Sequence, residues 1–155
     1  MTAIKLYRVA HKLYQMHVPI LPVIIYRLIY FLNNCHVHYA TDIGMGTTLA
    51  YGGVGVIIGK DCVIGKNCVI ESNVTIGGRN NIPAMPVIGD NVFVGTGARI
   101  LGDISIGNNS IIGANAVVIH DVPDNCSVAG VPAKILHENI DINEKCNIKD
   151  ITKMR

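Results

Sequence analysis

The stretch IIGKDCVIGKNCVIESNVTIGG, residues 57–78, repeats every six residues. Ile58, Ile64, Ile70 and Ile76 recur in step, Gly59, Gly65 and Gly77 each follow the aliphatic, and Cys62, Cys68 and Val74 stand four steps after it. The ladder runs on through Ile82, Ile88, Val94, Ile100, Ile106, Ile112 and Val118, eleven members in register. A period of six fits neither a 3.6-residue helix nor simple strand alternation; it marks a hexapeptide solenoid. Three short strands make one turn, and the repeating aliphatic points inward onto its equivalent in the next turn. Each buried Ile or Val contributes roughly 1.5–3 kcal/mol, and no single turn buries its own face, so stability grows by stacking. The Gly after each aliphatic is read as a corner whose backbone angles other residues resist. The fourth-step residue must be small to fit inside a narrow prism.

Working outward, Val37, Ile43 and Leu49 form an earlier set, and nine residues rather than six separate Leu49 from Ile58. Three extra residues around Tyr51, Gly52 and Gly53 therefore bulge from a corner, and bulges on a regular scaffold are where function concentrates. The segment GGRNNIPAMPVIGD, residues 77–90, keeps the phase through Ile82 but carries Pro83 and Pro86, and reads as a loop that leaves the coil and returns in register. Beyond Val118 the pattern fades into a polar tail. The expected architecture is all-β: a left-handed parallel β-helix of about five coils with two short N-terminal helices. The divisions are a helical cap over 1–34, the β-helix over 35–136 and a tail over 137–155.

The chain has 155 residues, no Trp and a net charge of +2. It has no block of basic residues, which argues against a nucleic-acid partner. In the first helix Leu6, Val9, Ala10, Leu13 and Met16 or His17 fall at helical spacing as its packing face. The second, VPILPVIIYRLIYFL over residues 18–32, is apolar but too short and too interrupted to span a bilayer, and it lacks a signal-peptide cleavage site. Capping the open end of the β-helix is its expected role, with peripheral membrane attachment as the alternative. Five cysteines, an odd number without a CxxC pair, point to a reduced, cytoplasmic protein. The sequons at Asn73, Asn108 and Asn125 are then chance matches.

The segments YRVAHKLYQ (7–15), AYGGVGVIIG (50–59), NVTIGGR (73–79), PVIGDNVFVGTGARILGDISIGNNSIIGANAVV (86–118) and VAGVPAKIL (128–136) resemble the hexapeptide acyltransferases. Within them they look like serine acetyltransferase and the acetyltransferases of bacterial capsule and O-antigen gene clusters. The resemblance implies a homotrimer whose inter-subunit grooves move an acetyl group from acetyl-CoA, as co-substrate, to a small hydroxyl acceptor, with no metal. It implies that Thr96, Gly97, Ala114, Asn115, Ala133 and Lys134 line the coenzyme arm, Lys134 near the phosphates, and that Gly77 and Gly78 let the thioester approach the backbone.

The family's base is a His in the bulge after an acidic residue, with a second His in the later loop. Here the bulge reads Ala50 and Tyr51, the later loop reads Ala84 and Met85 before Pro86, and Gly59 stands where related sequences often carry another His. Tyr51 therefore matches the base, although a phenol with an ordinary pKa of about 10 is a weak one. His38, one coil below Gly59, is the imidazole that can face the same groove; His36 and His120 read as surface residues. Loss of the acidic residue at Ala50 weakens the case for serine itself. The alternative is a catalytically silent trimeric scaffold. A metal-dependent hydratase is disfavoured because no HxxxxH pair exists. Trimer faces are expected to include Val63, Val69 and Ile111.

Overall fold

The computed structural model describes residues 2–80 and 84–146. The chain opens with α1 (Ala3–Gln15) and α2 (Leu21–Asn33). Coil one carries β1 (His36–Val37), β2 (Asp42–Ile43) and β3 (Thr48–Leu49), and coil two β4 (Ile57–Ile58), β5 (Val63–Ile64) and β6 (Val69–Ile70). Coil three has β7 (Thr75–Gly77), β8 (Val87–Ile88) and β9 (Phe93–Val94), and coil four β10 (Arg99–Leu101), β11 (Ser105–Ile106) and β12 (Ile111–Ile112). Coil five has β13 (Val117–Val118), a bridge from Val122 to Ile106, and β14 (Ser127–Gly130). β15 (Ala133–His137) turns back antiparallel on β14.

These strands stack into three parallel sheets that form the sides of a prism: β1-β4-β7-β10-β13 (sheet A), β2-β5-β8-β11 (sheet B) and β3-β6-β9-β12-β14 (sheet C). This is the left-handed parallel β-helix of five coils that the repeat predicts. The described aliphatics at the repeat position are buried from Val37 to Val128, and Cys62, Cys68, Val74, Val92, Ala98 and Ala116 fill the small inward slots. Ile76 lies in sheet A and Ile88 on the next side, in sheet B, so the step between these two sides is twelve residues long where Ile58 to Ile64 and Ile100 to Ile106 take six. Ile82 and Pro83, which the ladder and the loop reading included, lie outside the described residues, as does the tail from residue 147.

Three expectations need correction. The glycine after each aliphatic is not at a special backbone angle. Gly59, Gly65, Gly89, Gly95, Gly107 and Gly113 are absent from the positive-φ positions, which fall two residues later at Asp61, Asn67, Asn91, Gly97, Asn109 and Asn115. At Gly65, Gly89, Gly95, Gly107 and Gly113, though not at Gly59, what excludes a side chain after the aliphatic is the coil above. A Cβ on Gly65 would sit 2.4 Å from the Gly89 carbonyl oxygen, and one on Gly107 2.4 Å from the Asp124 nitrogen. Asparagine tolerates the left-handed corner because its short amide bonds locally, and here the amides also ladder. Asn91 Nδ2 donates to Asn109 Oδ1 and Asn109 Nδ2 to Asn125 Oδ1, each at 3.1 Å.

On α1 the packing face is Ala3, Leu6, Tyr7 and Ala10, while Val9, Met16 and His17 are exposed. Polar bonds explain the rotation: the Tyr7 hydroxyl donates to the Thr41 carbonyl, and Arg8 donates to the Ile43 and Gly44 carbonyls of coil one. Val69 and Ile111 do not form an open face. Ile142, on the short α3 (Ile142–Lys145), and Cys146 pack over them, and Val69 is fully buried. Ile142 and Cys146 thus cover Val69, Phe93 and Ile111 on the outside of sheet C, and apolar Val63 and Val87 of sheet B are exposed.

Candidate active site

The bulge between coils one and two is a tight turn, Ala50–Gly53, at the corner where sheet C passes to sheet A. Ala50 and Gly53 are buried; a Cβ on Gly53 would lie 3.0 Å from Cys35 Sγ and 3.4 Å from Ala3 Cβ, so the turn is pinned between α1 and the prism. Tyr51 is held at φ 50°, ψ 34° and is 70% exposed. A bulky residue in that region is a backbone outlier of the kind that gathers at functional sites. Its side chain borders a recess of about 450 Å³ that Thr2, Ile4, Lys5, Thr48, Leu49 and Gly52 also line. Lys5 was not legible as part of this site, because only the docking of α1 on the bulge brings it there.

The same C-to-A edge carries most of the expected coenzyme residues. Thr96 and Gly97 leave β9 one coil below Ala114 and Asn115, which leave β12, and the Asn115 amide donates to the Thr96 carbonyl at 2.8 Å. Above them, β14 and β15 pair Gly130 with Ala133 and Ala129 with Lys134. The result is a stripe of small residues topped by an exposed lysine. A Cβ on Gly97, itself at φ +75°, would lie 2.1 Å from Asn115 Oδ1, so this glycine is required by the corner alone. Arg99, which the sequence reading missed, clamps the edge by donating through Nη1 to the Asn73 and Gly97 carbonyls, both at 2.7 Å.

The remaining candidates lie on the opposite edge of sheet A, where it passes to sheet B. His38 and Gly59 follow β1 and β4 there, Gly77 ends β7, and exposed Gly78 begins the loop. Tyr51 and His38 are therefore not brought together within one chain. Gly77 differs from the corner glycines: nothing lies within 4 Å of where its Cβ would be, so packing does not explain it. Its carbonyl accepts from the Gly102 amide at 3.0 Å.

His38 sits in an aromatic cluster, its ring 4.3 Å from that of Tyr39 and 5.5 Å from that of Tyr26, whose hydroxyl bonds His36 Nε2. Burial first, and the Lys60 ammonium second, hold the imidazole below its ordinary value of 6.5. Its Nδ1 accepts from the Ala40 amide at 3.1 Å. A neutral ring has one donor and one acceptor nitrogen, so Nε2 carries the hydrogen and is a donor. Among the described residues no three His, Cys, Asp or Glu side chains gather as a metal site.

Comparison with known proteins adds to this geometry. The family described as bacterial transferase hexapeptide (six repeats) matches residues 85–120, and hexapeptide repeat of succinyl-transferase matches 55–79. The chain is 37% identical over 139 residues to the serine acetyltransferase of Synechococcus elongatus, covering 88% of this chain and 57% of that protein. It is 36% identical over 152 residues to that of Bacillus pumilus, covering 96% and 70%. Among solved structures, Brucella abortus serine acetyltransferase superposes with a TM-score of 0.84 at 34% identity, over 89% of this chain and 57% of that one. A serine acetyltransferase in complex with CoA gives 0.79 at 34% identity, over 86% and 55%. The chain thus spans little more than half the length of several of the relatives it matches.

Proposed function

The chain belongs to the hexapeptide-repeat acyltransferases, in their serine acetyltransferase-like branch, and from that membership we propose that it moves an acetyl group from acetyl-CoA to a small hydroxyl acceptor. The observation that carries this reading is the division of the candidate residues between the two edges of sheet A. At about 3.3 Å per residue, a six-residue side separates those edges by up to about 20 Å. A second copy that sets its A-to-B edge against the C-to-A edge of the first joins the halves. Repeated around a three-fold axis, that contact closes as a homotrimer with three composite grooves.

In such a groove the stripe from Thr96 to Ala133 offers backbone groups and little bulk to the pantetheine, and Lys134 offers a positive charge to the phosphates. Gly77 and Gly78 of the neighbour leave room for the thioester. The acceptor oxygen bonds to the acetyl carbonyl carbon as the carbon–sulfur bond breaks; the hydroxyl proton leaves and the departing thiolate takes up a proton. Tyr51 stands where the family's base stands and is assigned as a relay: its phenol oxygen accepts the hydroxyl proton as its own proton passes to the departing thiolate. His38, whose Nε2 carries the hydrogen, suits a donor to the oxygen on which charge develops. Serine is the first acceptor to test, since the relatives are named for it; a sugar hydroxyl is the other, favoured by Ala50 in place of an acidic residue. The five unpaired cysteines suit a cytoplasmic enzyme.

The test is thiol release from acetyl-CoA with serine and with sugar acceptors, followed in the wild type and in Tyr51→Phe. Turnover that depends on one acceptor and falls in the variant supports the reading. Tight acetyl-CoA binding without turnover on any acceptor would make the protein a silent trimeric scaffold instead.

A further inference from the structure

The inward face of the helical hairpin caps the prism, but its outward face has no partner among the described residues. Pro22 and Ile29 turn α2 toward the core, whereas Leu21, Ile24, Leu28 and Phe31 recur at helical spacing on the other side and are exposed, Phe31 at 84%. Arg27 is the one charged residue of α2. Apolar stripes of this size mark interaction surfaces.

Charge says which occupant fits. Residues 1–41 contain Lys5, Arg8, Lys12 and Arg27 and no Asp or Glu. Arg8 is tied to coil-one carbonyls, while Lys5, Lys12 and Arg27 are exposed. A second copy laid on this face would set those cations against their like with no carboxylate in the segment to answer them. An anionic lipid surface answers both the cations and the apolar stripe, as it does for interfacial amphipathic helices. Among the described residues no helix is long and apolar enough to cross a membrane.

We propose that the α1–α2 hairpin docks on an anionic lipid surface, lying in the interface with Ile24 and Phe31 inserted and Lys12 and Arg27 at the headgroups. In a three-fold assembly all three hairpins cap the same end of the prism and meet one plane, so their contacts add as avidity. This inference stands apart from the acyl-transfer reading.

Sedimentation with vesicles tests it, using phosphatidylcholine alone and phosphatidylcholine with a third of phosphatidylglycerol. The full chain is expected to bind the anionic vesicles at least about tenfold more tightly than the neutral ones, and less as salt is raised. The double variants Ile24→Glu with Phe31→Glu, and Lys12→Glu with Arg27→Glu, should each lose about tenfold or more while keeping the wild-type circular dichroism and light-scattering mass. No binding to anionic vesicles, or variants that bind as the wild type does, overturns the proposal. So does a lipid-free wild-type mass twice that of Ile24→Glu with Phe31→Glu, which would show a second copy on this face.

Discussion

At His38 one hydrogen bond sets the role. With Nδ1 taken up by the Ala40 amide, the ring donates through Nε2. His38→Ala should therefore lower turnover about 10²–10³-fold, the usual effect of losing a donor to a developing oxyanion, while His38→Gln, which keeps an N–H, should recover part of it. Equal loss in both variants would return the residue to a general-base role. Because burial and Lys60 depress its pKa, the neutral ring stabilises the fold above 6.5, and that contribution is lost as pH falls below it. On the other edge, Thr96→Trp should block acetyl-CoA binding by filling the stripe, and Lys134→Glu should weaken it several-fold, less so at high salt. Calorimetry that finds both affinities unchanged would remove the coenzyme assignment.

At the scale of the elements, the coil was legible and its coverings were not. A six-residue period carries the inward side chains, because each stacks on its own equivalent and needs no distant partner. The tail was unreadable, since Ile142 finds Val69 and Ile111 only through tertiary contact. The α1 face was misread because Tyr7 and Arg8, with their hydrogen bonds to coil one, outweigh Val9 and Met16. At the site, the Gly-rich bulge could be seen in the sequence; the separation of Tyr51 from His38 follows from which corner each occupies, and required the strand register. Ile142→Asp should strip the tail from sheet C and lower the unfolding midpoint, measured by urea titration. The inward slots add a pH signature. Burial pushes Cys35 up to about 12 and Cys62 to about 11, and burial pushes the Tyr7 phenol up to about 12. These groups stabilise the fold fully below their unfolded values, 9.0 for the thiols and 10.0 for the phenol, and the contribution is lost as pH rises toward 11–12. The urea midpoint should fall between pH 8 and pH 11; an unchanged midpoint would contradict their burial.

For the whole molecule, the account rests on grooves that no single chain completes. Light scattering should give the mass of three chains, and Val63→Glu with Val87→Glu, at the exposed apolar positions of sheet B, should lower it. The most direct measurement mixes two disabled variants. Thr96→Trp breaks the C-to-A edge and leaves the A-to-B edge intact; Gly77→Trp does the reverse, in the open space beside β7. Each alone should be inactive in thiol release. Unfolded together and refolded at equal ratio, they should regain about a quarter of wild-type activity, because one groove in four then joins two intact edges in a cyclic assembly. A refolded mixture of correct mass that stays as inactive as its parents would contradict the composite site.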